Sequence, residues 1–239
     1  MRVSLSSREI KVLDHGYLRF VESWGSDERI IEAARMSTDG GFRGWGTPDA
    51  PGDEKLLRYL WKNKHATPFE MAGMTVEIQA PIFVFREWHR HRTQSYNEMS
   101  ARYIPLPDVN YVPTAERILI NAGKSTKQAG TIKDADVLTP SRAEAFRGLL
   151  RVQYDAQQKA YESSLEAGVP KELARCVLPV GRYSRMRASA NLRNWLAFLT
   201  LRMHPHAQWE IRQYANAVGS LIEEEFPRTW ALFAEGLDE

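Results

Sequence analysis

Residues 74 to 80 set the first constraint on the fold. Met74, Val76, Ile78 and Ala80 alternate with Thr75, Glu77 and Gln79, the two-residue period of a half-buried strand. Earlier in the chain, Ile10 to Leu13 and Tyr17 to Val21 flank the turn-forming Asp14-His15-Gly16, which predicts a hairpin. Pro81 ends the central strand and is placed to open a helix through Phe85, Trp88 and His89. Ser26 caps a further predicted helix through Ile30, Ile31, Ala33 and Ala34, with Asp27 and Glu28 in its first turn. Leu56, Leu57, Leu60, Trp61 and Lys64 follow helical spacing over Asp53 to Lys64. Pro105, Pro107 and Pro113 predict irregular chain, and Asn121 to Val137 reads as a polar, mobile excursion.

Beyond it, Ser141 with Glu144 is a capping-box signature for a helix to about Glu166, closed by Gly168 and followed by Pro170. Arg182 to Ser189 is expected to rejoin the sheet, and Asn191 to Leu201 and Ala207 to Phe226 to form two helices parted at His204-Pro205. The expected class is α+β, a helix-rich single domain over residues 1–239 with a small antiparallel sheet.

Composition narrows the classes of function. With 43% hydrophobic and 26% charged residues in 239, the chain can bury a core, and it has no apolar run of the ~18 residues that cross a bilayer. No apolar segment follows the first charges of MRVSLSSREIKV, so no secretory leader is expected and the cytoplasm is the default location. The single cysteine, Cys176, excludes an internal disulfide framework. A net charge of +2 gives no general signal for nucleic acid. The 32 basic residues are nonetheless 23 Arg and 9 Lys, an excess that signals either anion recognition by planar guanidinium forks or a bias of the coding sequence.

Position decides between those readings. REWHRHRTQSYNEMSARY, from Arg86 to Tyr103, packs four arginines among two carboxylates. Like charges so close repel unless anions sit among them, so an anionic ligand is the natural missing partner; a solvated helix end is the plainer alternative. His89 and His91, two apart, point to different sides of a helix, and no metal site is expected. A second cluster, Arg202 to Glu210, lies at a predicted helix junction, where either a ligand or a structural Arg202 to Glu210 pair would satisfy the arginine. Lys64-His-Ala-Thr-Pro-Phe-Glu70 follows a helix and alone would read as a turn.

Together these segments resemble the flavin-dependent thymidylate synthases. The family signature, RHR, then seven residues, then Ser, is met by Arg90-His91-Arg92 and Ser100, and extends through Ser95, Asn97, Glu98, Arg102 and Tyr103. Further family-like blocks are AARMS ending at Ser37, HATPFE at 65–70, APIFVFREW at 80–88, GVPKELARCVLP at 168–179 and LRMHPHAQWEIRQYA at 201–215. They run in the expected order over nearly the whole chain.

The resemblance implies reductive methylation of dUMP to dTMP, with methylenetetrahydrofolate as carbon donor, FAD as hydride carrier, NADPH as reductant and a homotetramer with shared active sites. Carried over residue by residue, it places dUMP on Glu87, Trp88, Arg90, Glu98, Met99, Ser100, Ala101, Arg102, Arg175 and Arg202. Flavin and folate fall to Ser37, His65, Thr67, Arg90, His91, Arg92, Glu98, Asn191, Arg193 and His206. Arg202 matches the arginine that stabilises the pyrimidine anion, the one residue given a catalytic role. Two positions depart from the family pattern: Glu87, where relatives often carry Gln, and Ala197, where they can carry Asn or His. Ser100 is expected to bind rather than attack, and Cys176, in an apolar run, to pack. The alternatives are a pseudoenzyme that binds flavin without turnover, and a nucleotide- or RNA-binding protein that stacks bases on Tyr96 and Tyr103 without catalysis.

Overall fold

The computed structural model describes residues 8–120, 130–131 and 138–237. The excursion expected over Asn121 to Val137 lies outside the described residues apart from 130 and 131.

Five strands form one antiparallel sheet: β1 (Glu9–Val12), β2 (Gly16–Trp24), β3 (Gly73–Pro81), β4 (Ser95–Glu98) and β5 (Tyr183–Asn191), in the order β1-β2-β3-β5-β4. The alternation over 74–80 acts as expected, since Met74, Val76, Ile78 and Ala80 are fully buried. Opposite them in register stand Ala190, Ala188, Met186 and Ser184 of β5. Each large apolar side chain so buried contributes about 1.5–3 kcal/mol. The other face is polar: Arg19 pairs with Glu9 and Glu77, and Arg187 lies 3.6 Å from Glu77. One face is therefore dry and the other wet, which is why the strand pattern was legible.

The helices are α1 (Asp27–Arg35), α2 (Gly52–Lys62), α3 (Ile82–Trp88), α4 (Ala115–Leu119), α5 (Pro140–Glu166), α6 (Lys171–Ala174), α7 (Leu192–Arg202), α8 (Trp209–Glu225) and α9 (Pro227–Glu235). The apolar face of the sheet merges with α3, α7 and α8 in one core, where Trp88 stacks on Phe198 at 4.7 Å and the Trp195 indole donates to the Met74 carbonyl at 2.9 Å.

Gly16 starts β2 where an added Cβ would meet the Tyr214 hydroxyl at 2.0 Å. That hydroxyl donates to the Gln79 carbonyl at 2.7 Å, so helix α8 is tied to the sheet at the spot where only glycine leaves room.

Ser26 caps α1 as expected, accepting from the Arg29 amide at 3.3 Å. The cap of α5 is Thr139 rather than Ser141: Thr139 accepts from the Arg142 amide, and Pro140 takes the first helical position. Gly168, at φ 82°, closes α5 as the sequence indicated.

Candidate active site

Helix α3 carries the first part of the site. Val84, Phe85 and Trp88 face the core, which turns Arg86 and Glu87 outward. The helix stops at Trp88, so Arg90 does not continue the face of Arg86 but lies in the turn beyond it. The Tyr96 hydroxyl of β4 donates to the His91 carbonyl at 2.6 Å, with the Trp88 carbonyl 3.2 Å away, and so fastens that turn to the sheet.

Arg202, the last residue of α7, reaches this turn with three donors. Its Nε–H donates to His91 Nε2 at 2.8 Å, Nη1 to Glu87 Oε2 at 3.0 Å and Nη2 to the Glu87 carbonyl at 3.1 Å. The Arg202 to Glu210 pair allowed by spacing is not formed, because Glu210 is taken by Arg117. Burial pushes the Glu87 carboxyl above its ordinary range even though Arg202 pulls it down. Burial, and then the adjacent Arg202 charge, push the His91 imidazole down to about 4. His91 is therefore neutral near pH 7, and its ring leans edge-on against Phe198 at 4.9 Å.

A second group forms where β4 ends. Strand pairing holds Glu98 opposite Met186, and the Met99 amide donates to the Arg185 carbonyl at 2.8 Å. The chain then folds over Ser100, whose hydroxyl accepts from the Arg102 amide at 3.3 Å. Arg102 lies 3.3 Å from the Glu172 carboxylate, and Arg175 Nε donates to the Glu172 carbonyl at 3.2 Å. Glu172 thus brings together two arginines 73 positions apart in the chain. Among the described residues, no hydrogen bond or ion pair joins Arg102 or Arg175 to Arg202.

The third group lines a cleft of about 440 Å³ between the end of α2 and α7, with Trp61, Phe69 and Leu196 as apolar walls and Lys62, Lys64, His65 and Arg193 as polar rim. An adjoining hollow of about 610 Å³ shares Lys64, His65 and Arg193 and adds Thr67. Arg193 forms a close ion pair with Glu70, and Ala197 lines the cleft with no polar group to offer. An apolar slot with a cationic rim has the chemistry to take a flat ring that carries a pyrophosphate.

Among the described residues, the other residues singled out in the sequence make no hydrogen bond or ion pair to Arg102, Arg175, Arg193 or Arg202. Arg90, Arg92 and Glu98 are exposed. Trp88 and Ala101 are buried, so their side chains lie behind the surface; the Trp88 indole donates to Gln94 at 3.0 Å. Ser37 donates to the Ala34 carbonyl, and Asn191 caps α7 by accepting from the Asn194 amide. His206 stacks edge-on against His204, 4.8 Å away. Cys176 is exposed, against the expectation that it packs, because its neighbour Ala174 takes the buried position of this turn. Glu172 and Lys62 were missed, although both sit inside or beside blocks that the sequence had marked. Among the described residues, no three metal-ligating side chains come together.

The α+β core thus carries arginine groups and a cationic cleft with the chemistry to take flat, anionic ligands. The profile of the Thy1 family, thymidylate synthase complementing proteins, matches residues 19–228, and the chain belongs to that family. A flavin-dependent thymidylate synthase of Thermus thermophilus is 42% identical over 230 residues, which cover 96% of this chain and 80% of the relative. That of Thermosipho africanus is 37% identical over 225 residues, covering 94% and 93%. A crystal structure of the UMP/dUMP methylase PolB from Streptomyces cacaoi, bound with 5-Br dUMP, matches with a TM-score of 0.79 at 33% identity, over 95% of this chain and 97% of that one.

Proposed function

We propose that this chain is a flavin-dependent thymidylate synthase: dUMP, methylenetetrahydrofolate, NADPH and a proton give dTMP, tetrahydrofolate and NADP⁺. The observation that carries the reading is the setting of Arg202. Three of its five N–H groups are engaged by Glu87 and His91, and two remain to address a ligand. A cation so held beside the pyrimidine oxygens favours the electron-rich form in which C5 attacks the one-carbon unit.

Arg102 and Arg175 are then the phosphate grip, with a planar fork each and Ser100 supplying a hydroxyl. Both leave Glu172 when the phosphate arrives, a low-cost exchange because Arg102 and Glu172 are exposed. Arg193, Lys62 and Lys64 would hold the FAD pyrophosphate, while Trp61, Phe69 and Leu196 exclude water from the ring. When bound, FAD supplies the hydride transfer between NADPH and the substrate carbon.

The homotetramer is part of the proposal. Phe146, Leu149 and Val152, three apart on α5, are 44%, 54% and 63% exposed, an apolar stripe suited to a second copy. A cytoplasmic location suits the lone Cys176 thiol.

The purified protein should be yellow and should form dTMP only when dUMP, methylenetetrahydrofolate, FAD and NADPH are all present. A colourless protein that forms no dTMP from the complete mixture rejects the reading. Arg202→Ala should lower dTMP formation by about a hundredfold or more and leave flavin bound; unchanged turnover would remove Arg202 from the chemistry.

A further inference from the structure

The Arg202 group carries one inference beyond its assigned role, and it rests on the thymidylate synthase reading. Arginine can only donate, so the imidazole nitrogen that receives its Nε–H must present a lone pair. We propose that His91 is a positioning residue: as the Nδ1–H tautomer, its Nε2 fixes the guanidinium plane of Arg202, so that the two N–H groups left over by Glu87 and His91 point at the pyrimidine. The geometry supports this in three ways. The Nε2 contact is short, 2.8 Å. The ring is held from behind by Phe198, one turn before Arg202 on the same helix, so ring and guanidinium share a frame. The His91 carbonyl is pinned from β4 by Tyr96, so the turn cannot swing the ring away.

The charged and titratable groups around the imidazole are Arg202 on α7, Glu87 and Arg90 at and just beyond the end of α3, Arg92 next in the chain, and Tyr96 on β4. Burial and the Arg202 charge both keep the ring unprotonated, and a proton on Nε2 would place two donors face to face. Glu87 completes the hold by binding the guanidinium through both its carboxylate and its carbonyl.

The test compares the unaltered holoenzyme with H91Q, whose amide oxygen can stand near the place of Nε2, and with H91L, which has no acceptor. Imidazole nitrogen NMR, with the His91 signals identified by their loss in H91Q, should show the Nδ1–H tautomer and no protonation until near pH 4. An Nε2–H tautomer, or titration at the ordinary value of 6.5, overturns the proposal. In steady-state assays H91L should lose about a hundredfold in kcat with the dUMP KM within about threefold, and H91Q should return to within about tenfold of the unaltered enzyme. A loss confined to KM, or no rescue by H91Q, also overturns it. If the unaltered chain makes no dTMP, the functional reading fails, while the NMR measurement still decides the state of His91.

Discussion

Glu210 is a buried carboxylate that stays ionised. Burial alone would push it up, but Arg117, at 2.7 and 3.0 Å, and Gln208, at 2.9 Å, outweigh that and hold it below the ordinary carboxylate range. Its folded pKa lies below the unfolded value of 4.5, so the stability it adds is complete above 4.5 and fades as the pH falls through the lower folded value. Arg117→Met should reverse the sign. With its cation gone, burial dominates, the folded pKa rises above 4.5, and the variant loses about 3–5 kcal/mol at neutral pH. Part of that deficit should return on acidification to about pH 5.5, because protonation relieves a buried charge. Urea unfolding at both pH values measures it; a deficit that does not change with pH would contradict the account. The same linkage applies to His91, whose folded pKa of about 4 lies below the unfolded 6.5. The stability it adds is complete above 6.5 and falls, by about 1–2 kcal/mol once solvent screening is allowed for, as the pH drops towards 4.

Elements show which parts of the fold the sequence could state. The strand over 74–80 was legible because one face is fully dry, and the hairpin because Asp14-His15-Gly16 is turn chemistry. Strand β4 was not legible: Ser95-Tyr-Asn-Glu98 has no dry face, and only its pairing to β5 makes it a strand. The α5 cap slipped by two residues because Thr139 and Ser141 are both competent caps, and Pro140 between them decides for Thr139. Thr139→Ala should therefore cost about 1 kcal/mol and Ser141→Ala less than about 0.5, a difference that thermal melts can read. Gly16→Ala should cost about 3 kcal/mol through the clash with Tyr214, and adding Tyr214→Phe should recover part of it, since the hydroxyl is the nearest of the atoms met. If Gly16→Ala costs as much in a Tyr214→Phe background as in the unaltered chain, the strain lies elsewhere. In the proposed site, the arginine-dense segment at 86–102 was legible by type and spacing, while Arg175 came only from the family resemblance; Glu172 as a partner of Arg102 and Arg175 was not legible, because contacts across the fold leave no local periodicity.

For the whole molecule, the exposed stripe of α5 argues for assembly. Under the proposed homotetramer, Leu149→Glu should shift sedimentation toward smaller species, and if the sites are shared as proposed, dTMP formation should fall in parallel. A fully active small species would separate catalysis from assembly. The place of β4 has a consequence of its own. It is one of the two edge strands, four residues long and paired only with β5, yet the chain it delivers is Met99 to Arg102, the proposed phosphate grip. A peripheral strand can unzip at a small fraction of the cost of global unfolding. Its amides should thus exchange with solvent faster than those of β3, and faster still without nucleotide, so that the grip can be rebuilt between turnovers while the interior stays shut.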